Sequence, residues 1–337
     1  MKKTTLLTWI ALSSFASASL LEEAHHAGLS SIPTEPKALM KLIDNPNNPI
    51  TEAKVTLGKA LFFEPRLSKS NLISCNTCHN LATGGIDGVS AAIGHKWSAN
   101  PHHLNSPTVY NAVFMGSQFW DGRDKDLEAQ AQGPMQAAPE MAISKEMAVK
   151  RISSMAGYKR QFNQAFGSEE ISFKKIADAI GAFERTLVTP SRFDKFLDGD
   201  TQALTTQEQA GLKLFIDKGC TACHTGVGLG GSMQKFPLVG AYKYATVGDF
   251  KGDKEGRVKV PTLRNIAQTA PYYHNGAVWS LDEAVKIMGT TQLGMSLSDQ
   301  ESEAIVTFLK SLDGEMPTIT YPHLPAVTAQ TPKPQSN

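Results

Sequence analysis

Two copies of Cys-x-x-Cys-His constrain this chain more than any other feature: Cys75, Cys78 and His79 in SCNTCHNL, and Cys220, Cys223 and His224 in GCTACHTG. Together they use all four cysteines. A zinc ribbon would bring its second thiol pair within about 15 to 20 residues of the first, whereas these pairs lie in opposite halves of the chain. A thioredoxin-type motif needs a βαβ setting and assigns no obligatory histidine to the fifth position; neither copy sits in such a pattern. Covalent haem attachment fits both. Two thiols on one helical turn form thioethers with the two vinyl groups, and the next residue presents its imidazole to the iron as proximal ligand. The chain is therefore expected to carry two c-type haems.

The N-terminus points to the same exported setting. Lys2 and Lys3 precede the apolar run Leu6 to Leu12, and Ala16-Ser17-Ala18 supplies small residues for cleavage, so residues 1–18 read as a secretory signal. A membrane anchor needs about 20 apolar residues, and this run is too short. No other segment is long and apolar enough to span a bilayer, so a periplasmic protein is expected. The formal net charge of +1 comes without any basic block, which argues against a nucleic-acid partner. The length suggests two domains, one per haem motif.

An internal repeat supports that division. GKALFFEPRLSKSNLISCNTCHN resembles AGLKLFIDKGCTACHTG, and SPTVYNAVFMGSQFWDGRDKDLEAQ runs in register with VPTLRNIAQTAPYYHNGAVWSLDEAV. That register pairs Pro107, Thr108, Asn111, Gly122 and Leu127 with Pro261, Thr262, Asn265, Gly276 and Leu281. Helical periodicity dominates, as over Lys174 to Leu187 and over Ser298 to Leu312, with Ser298 as N-cap. The expected fold is mostly α: two tandem cytochrome c-like domains, at 19–190 and 191–315, with long Gly-, Pro- and Asn-rich loops wrapping the haems. The linker falls near Thr189 to Thr206. Residues 316–337 form a tail, partly packed on the first domain and otherwise flexible.

Function should divide where the halves differ. For the second haem's distal ligand, Met288 lies 64 residues after His224, close to the separation in small class I cytochromes c; Met233, Met295 and Met316 are rivals. A thioether there raises the potential and fills the coordination sphere. The register sets Pro134 opposite Met288, and proline cannot ligate. Met135 is one residue off. His95, 16 residues after His79 on a Gly-punctuated loop, is the better candidate to cap the first iron and to leave it. His102 and His103 read as solvated side chains.

These stretches, with AIGHKW, NSPTVYNAVF, QFWDGR, TAPYYHNG and MGTTQLG, resemble the bacterial di-haem cytochrome c peroxidases and their MauG cousins, from about Leu57 to Leu312. The resemblance implies a periplasmic enzyme reducing hydrogen peroxide to water. The first haem, on His79, would be the low-potential, peroxidatic one, capped in the resting form by His95. The second, on His224 and Met288, would be the high-potential entry point for electrons from a small cytochrome c or a copper protein (cupredoxin). Trp120 would lie between the haems, Glu140 and Gln130 at the first distal face, and His274 in hydrogen bonding around the second haem. Asn105, Thr269 and Pro271 would hold one interdomain calcium, and the family is usually homodimeric. The stretch KWSANPHHL between His95 and Asn105 is about two residues longer than the family pattern. Two alternatives stand beside this reading: a MauG-like oxygenase modifying a partner protein, which carries tyrosine where this chain has Met288, and a non-catalytic two-haem electron shuttle.

Overall fold

A computed structural model describes residues 19–329 and 331–335 of the chain; the expected export signal at 1–18 lies outside them. The described residues are mostly helical, and their one sheet is the antiparallel pair Met233–Lys235 and Arg257–Lys259. No described helix is long and apolar enough to cross a membrane.

Each half is built on two crossing helices whose ends the sequence writes locally. Glu52–Phe62 starts at Thr51, whose hydroxyl accepts the Lys54 N–H, and it packs on Phe173–Glu184, which is capped in the same way by Ser172. In the second half Thr206–Asp217 opens with a Thr205/Glu208 capping box and packs on Asp299–Lys310, which opens with a Ser298/Glu301 box. A glycine sits at each crossing. A Cβ on Gly58 would stand 1.8 Å from the Ala179 carbonyl oxygen, and one on Gly211 would stand 2.0 Å from that of Ala304. Only a residue without a side chain lets the backbones approach so closely. Around the crossings lie two apolar cores, one holding Phe62, Tyr158, Phe162 and Phe183, the other Phe193, Leu212, Phe215 and Phe308.

The internal register holds at the level of backbone conformation. Asn111 and Asn265 are both left-handed (φ 61° and 59°), as are Phe119 and Tyr273 (67° and 70°) and Gly122 and Gly276 (66° and 56°). Each asparagine opens a 3₁₀ turn, Ala112–Phe114 and Ile266–Gln268. Both asparagine amides donate to the hydroxyl oxygen of Thr189, at 2.7 and 2.9 Å, so one residue at the linker ties the two copies together. The copies part company next. Leu281–Gln292 is one continuous helix, whereas its counterpart is broken into Leu127–Gln130 and Gln132–Gln136. Gly133 and Pro134 explain the break, since proline has no N–H for the helical ladder and glycine is a poor helix former.

Two terminal segments cross between the halves. At the N-terminal end Leu20, Ala24 and Leu29 pack in the second core, Leu29 bridges to Gly226, and the Ile32 N–H donates to Asp194. The apolar face of the helix at 19–26 is satisfied by the later domain, which no local pattern announces. At the other end Met316, Ile319 and Leu324 pack against the first core, and Arg66 donates to the Pro325 carbonyl. Within the second half, Asp194 and Arg264 form a bidentate ion pair at 2.8 and 2.9 Å, both side chains fully buried. Asp194 also accepts the Ile32 and Ser191 N–H groups.

Candidate haem cavities

Each CxxCH lies on one short turn that faces a large cavity. Cys75–Cys78 is a single helical turn, held at its start by the Ser74 N–H donating to Thr77 Oγ1. Cys220–Ala222 is a 3₁₀ turn entered through Gly219 at φ 81°. The turns bring Cys75, Cys78 and His79 into one cavity wall, and Cys220, Cys223 and His224 into another. Trp120, Lys259, Pro261 and Ile266 are among the residues lining both.

The proximal histidines are set up as ligands. His79 Nδ1 donates to the Pro107 carbonyl at 2.9 Å and His224 Nδ1 to that of Leu229 at 3.2 Å, which leaves Nε2 of each ring for a metal. Burial lowers both imidazole pKa values, that of His224 to about 4, so each ring stays neutral. Burial also raises every thiol, Cys78 to about 12 and Cys220 to about 11. Thiols held protonated in this way are poor nucleophiles and poor zinc ligands, which argues against exchange chemistry and a zinc site. Among the described residues no cluster of His, Cys, Asp and Glu could hold a bare metal ion.

Elsewhere in their walls the cavities differ. Met288, on the Leu281–Gln292 helix, lines the second cavity together with His224; Met233, Met295 and Met316 do not line it. Pro134 stands in the first cavity wall with Gln130, Glu140 and Arg123, while Met135 is fully buried in the first core. The Glu140 carboxyl is raised by burial, and the Arg123 charge opposes the shift. The Arg123 guanidinium lies 3.4 Å from the centroid of the Phe119 ring and pairs with Asp121 at 2.8 Å. The carboxylic acids line only the first cavity, as Glu140 and Glu184; at the position matched to Met288 of the second cavity the first presents Pro134, although Met115 and Met141 also line it.

His95 is buried but stands outside the first cavity wall. Its N–H donates to the Glu140 carbonyl at 2.8 Å, and Gly94 packs so tightly on Pro139 that a Cβ would meet the carbonyl oxygen at 1.9 Å. Desolvation lowers its pKa, helped by Lys96 and Lys69. The longer loop reaches the other half: exposed His102 pairs with Asp249 at 3.0 Å, and His103 Nδ1 donates to the Asn275 carbonyl at 3.1 Å. His102 is the solvated side chain its loop setting suggested, here paired with an exposed acid, whereas His103 is half-buried.

Asn105, Thr269 and Pro271 all line the first cavity. The Asn105 amide nitrogen donates to Val89, and among the described residues no hydrogen bond reaches its Oδ1 or the carbonyls of Thr269 and Pro271. Three free oxygens are a donor set a hard cation would accept. Trp120 Nε1 donates to the Asn105 carbonyl at 2.9 Å, and its ring meets that of His274 edge-on, with centroids 6.4 Å apart. His274 lines the second cavity, and burial lowers its pKa to about 4, with Lys251 adding to the shift. Two buried residues were not singled out by the sequence. Glu184 lines the first cavity with Oε2 unpartnered among the described residues, and burial, with Glu128 nearby, raises it to about 8. Lys259 lies at the shared wall. Neither belongs to a motif; only the fold brings them to the cavities.

A family model described as di-haem cytochrome c peroxidase matches residues 52–202, and one described as cytochrome c matches residues 208–313. Cytochrome c551 peroxidase of Pseudomonas aeruginosa is 47% identical to this chain, over 85% of it and 86% of the relative. Methylamine utilization protein MauG of Methylorubrum extorquens is 36% identical, over 82% and 83%. Among solved structures, a MauG-like protein associated with microbial copper homeostasis superposes with a TM-score of 0.71 at 32% identity, covering 81% of this chain and 93% of that one.

Proposed function

The chain belongs to the di-haem cytochrome c peroxidases, oxidoreductases with two c-type haems, and from that premise we propose that it reduces hydrogen peroxide to water in the periplasm. Electrons come from a small cytochrome c or a copper protein, enter at the second haem and pass to the first. The observation that carries the reading is the contrast at matched positions: Met288 in one cavity wall, Pro134 in the other. Met288 would supply a sulfur ligand that commits the second haem to electron transfer; Pro134 offers no donor at the matched position, which would leave the first accessible to a small oxidant.

Haem iron supplies the redox couple and the open coordination position, and the protein supplies the rest. His79 and His224 keep Nε2 free by committing Nδ1 to a carbonyl. Glu140, in its ionised form, accepts a proton from the inner peroxide oxygen and returns it to the outer one as the O–O bond breaks. Its raised pKa, caused by burial, brings those two roles closer in energy. Gln130 orients the peroxide. Trp120 occupies the wall between the sites and positions them for electron passage. A calcium ion at Asn105, Thr269 and Pro271 would stiffen that wall, and His274 would hydrogen-bond around the second haem.

His95 stands outside the first cavity wall, so capping the first iron in the resting form would require its loop, tied to Glu140 through the His95 backbone N–H, to move. Met288 also weighs against a MauG-like oxygenase, since a thioether does not stabilise high oxidation states at the second iron as an anionic oxygen does. The test is steady-state peroxide consumption with reduced cytochrome c, comparing oxidised and pre-reduced enzyme. Turnover is expected, and a half-reduced protein with both irons six-coordinate and no turnover would leave the electron-shuttle reading in its place.

A further inference from the structure

Lys259 closes the Arg257–Lys259 strand, and its backbone N–H donates to the Trp120 carbonyl at 2.8 Å. The residue is 6% exposed and lines both cavities. Among the described residues its ammonium makes no ion pair and no hydrogen bond; Asp121, the acid whose charge it feels, pairs with Arg123 instead. A buried, unpaired ammonium is costly. It persists where it sheds its proton or where an anion from outside the chain meets it.

Each haem brings such anions. The thioethers pin one edge of each macrocycle at its cysteines, and the two propionates project from the opposite edge. None of the four cysteines belongs to the wall that the cavities share, whereas Lys259 does. We propose that the Lys259 ammonium is the common counter-ion of the propionates of both haems at the wall between the two cavities. Burial alone draws the ammonium down to about 8, so on the bare chain its charge is only marginally held at neutral pH; adjoining carboxylates secure it. A cation beside both macrocycles disfavours the ferric forms and raises both potentials. The inference rests on the two-haem reading but not on peroxide chemistry, so its test omits peroxide.

The experiment is spectropotentiometric titration of the holoenzyme, with each haem's midpoint resolved, for wild type, Lys259→Met and Lys259→Arg. Methionine keeps much of the volume and drops the charge; arginine keeps the charge. With two covalent haems retained in every variant, Lys259→Met is expected to lower both midpoints and Lys259→Arg to leave them near wild type. A Lys259→Met protein in which either midpoint stays put overturns the shared counter-ion. So does an equal shift in the arginine variant, which would assign the effect to packing. Either result leaves the peroxidase reading standing, since that is judged by turnover.

Discussion

At the scale of single residues, burial is what converts ordinary side chains into site chemistry. Glu140 occupies a loop position where a glutamate is usually a solvated charge, yet it lines a cavity and its pKa is raised by desolvation. On the proposed role, in which the ionised form accepts the proton, turnover should decline as pH falls through this raised value. Glu140→Gln should slow O–O cleavage by roughly 10²–10⁴-fold with peroxide still able to bind, and should erase that acid limb from the pH profile. Wild-type kinetics in the variant would remove Glu140 from the reaction. Glu184 shows the same force without an assigned role. Its folded pKa of about 8 exceeds its ordinary value, so the stability it contributes is full in acid and is lost as pH rises through about 8. Thermal melts of Glu184→Gln holoenzyme should show a flatter dependence over that range than wild type; an identical dependence would mean that Glu184 is not the titrating group.

At the scale of elements, the two halves are one design with one local edit. The helix crossings depend on Gly58 and Gly211, where a methyl group would meet a carbonyl oxygen. Gly211→Ala should destabilise the second half by about 1–3 kcal/mol, measurable by denaturant unfolding with haem content checked; an unchanged midpoint would show that the helices part without penalty. The edit is Gly133-Pro134, which splits the first half's counterpart of the Met288 helix. Pro134→Met restores a ligand type at the matched position. The first haem is expected to turn six-coordinate and low-spin, with most peroxide turnover lost. A persisting high-spin signal at full activity would show that the break in the helix, and not the missing sulfur, keeps the site open.

Over the whole molecule, the two cavities share a wall, and one residue at the linker joins the two copies. Trp120 and Lys259 face both, and Thr189 binds Asn111 and Asn265 together. Met288→Ala tests the division of labour: haem content intact, the second potential lowered, and donor-driven turnover lost. Normal turnover would place electron entry elsewhere. The sequence by itself determined what is covalent, repeated or locally capped. It named both haem turns, the duplication register that the paired left-handed asparagines follow, the Ser298 cap, and Met288 against Pro134, because each is written in a few adjacent residues or in the comparison of one half with the other. Tertiary structure alone decided that the helix at 19–26 packs on the second domain, that His102 and His103 reach across to the other half, that His95 stands clear of the first cavity, and that Lys259 and Glu184 are buried at the cavities. Those outcomes depend on contacts between residues far apart in the chain and on loss of water around charged groups, and neither leaves a pattern in the order of the amino acids.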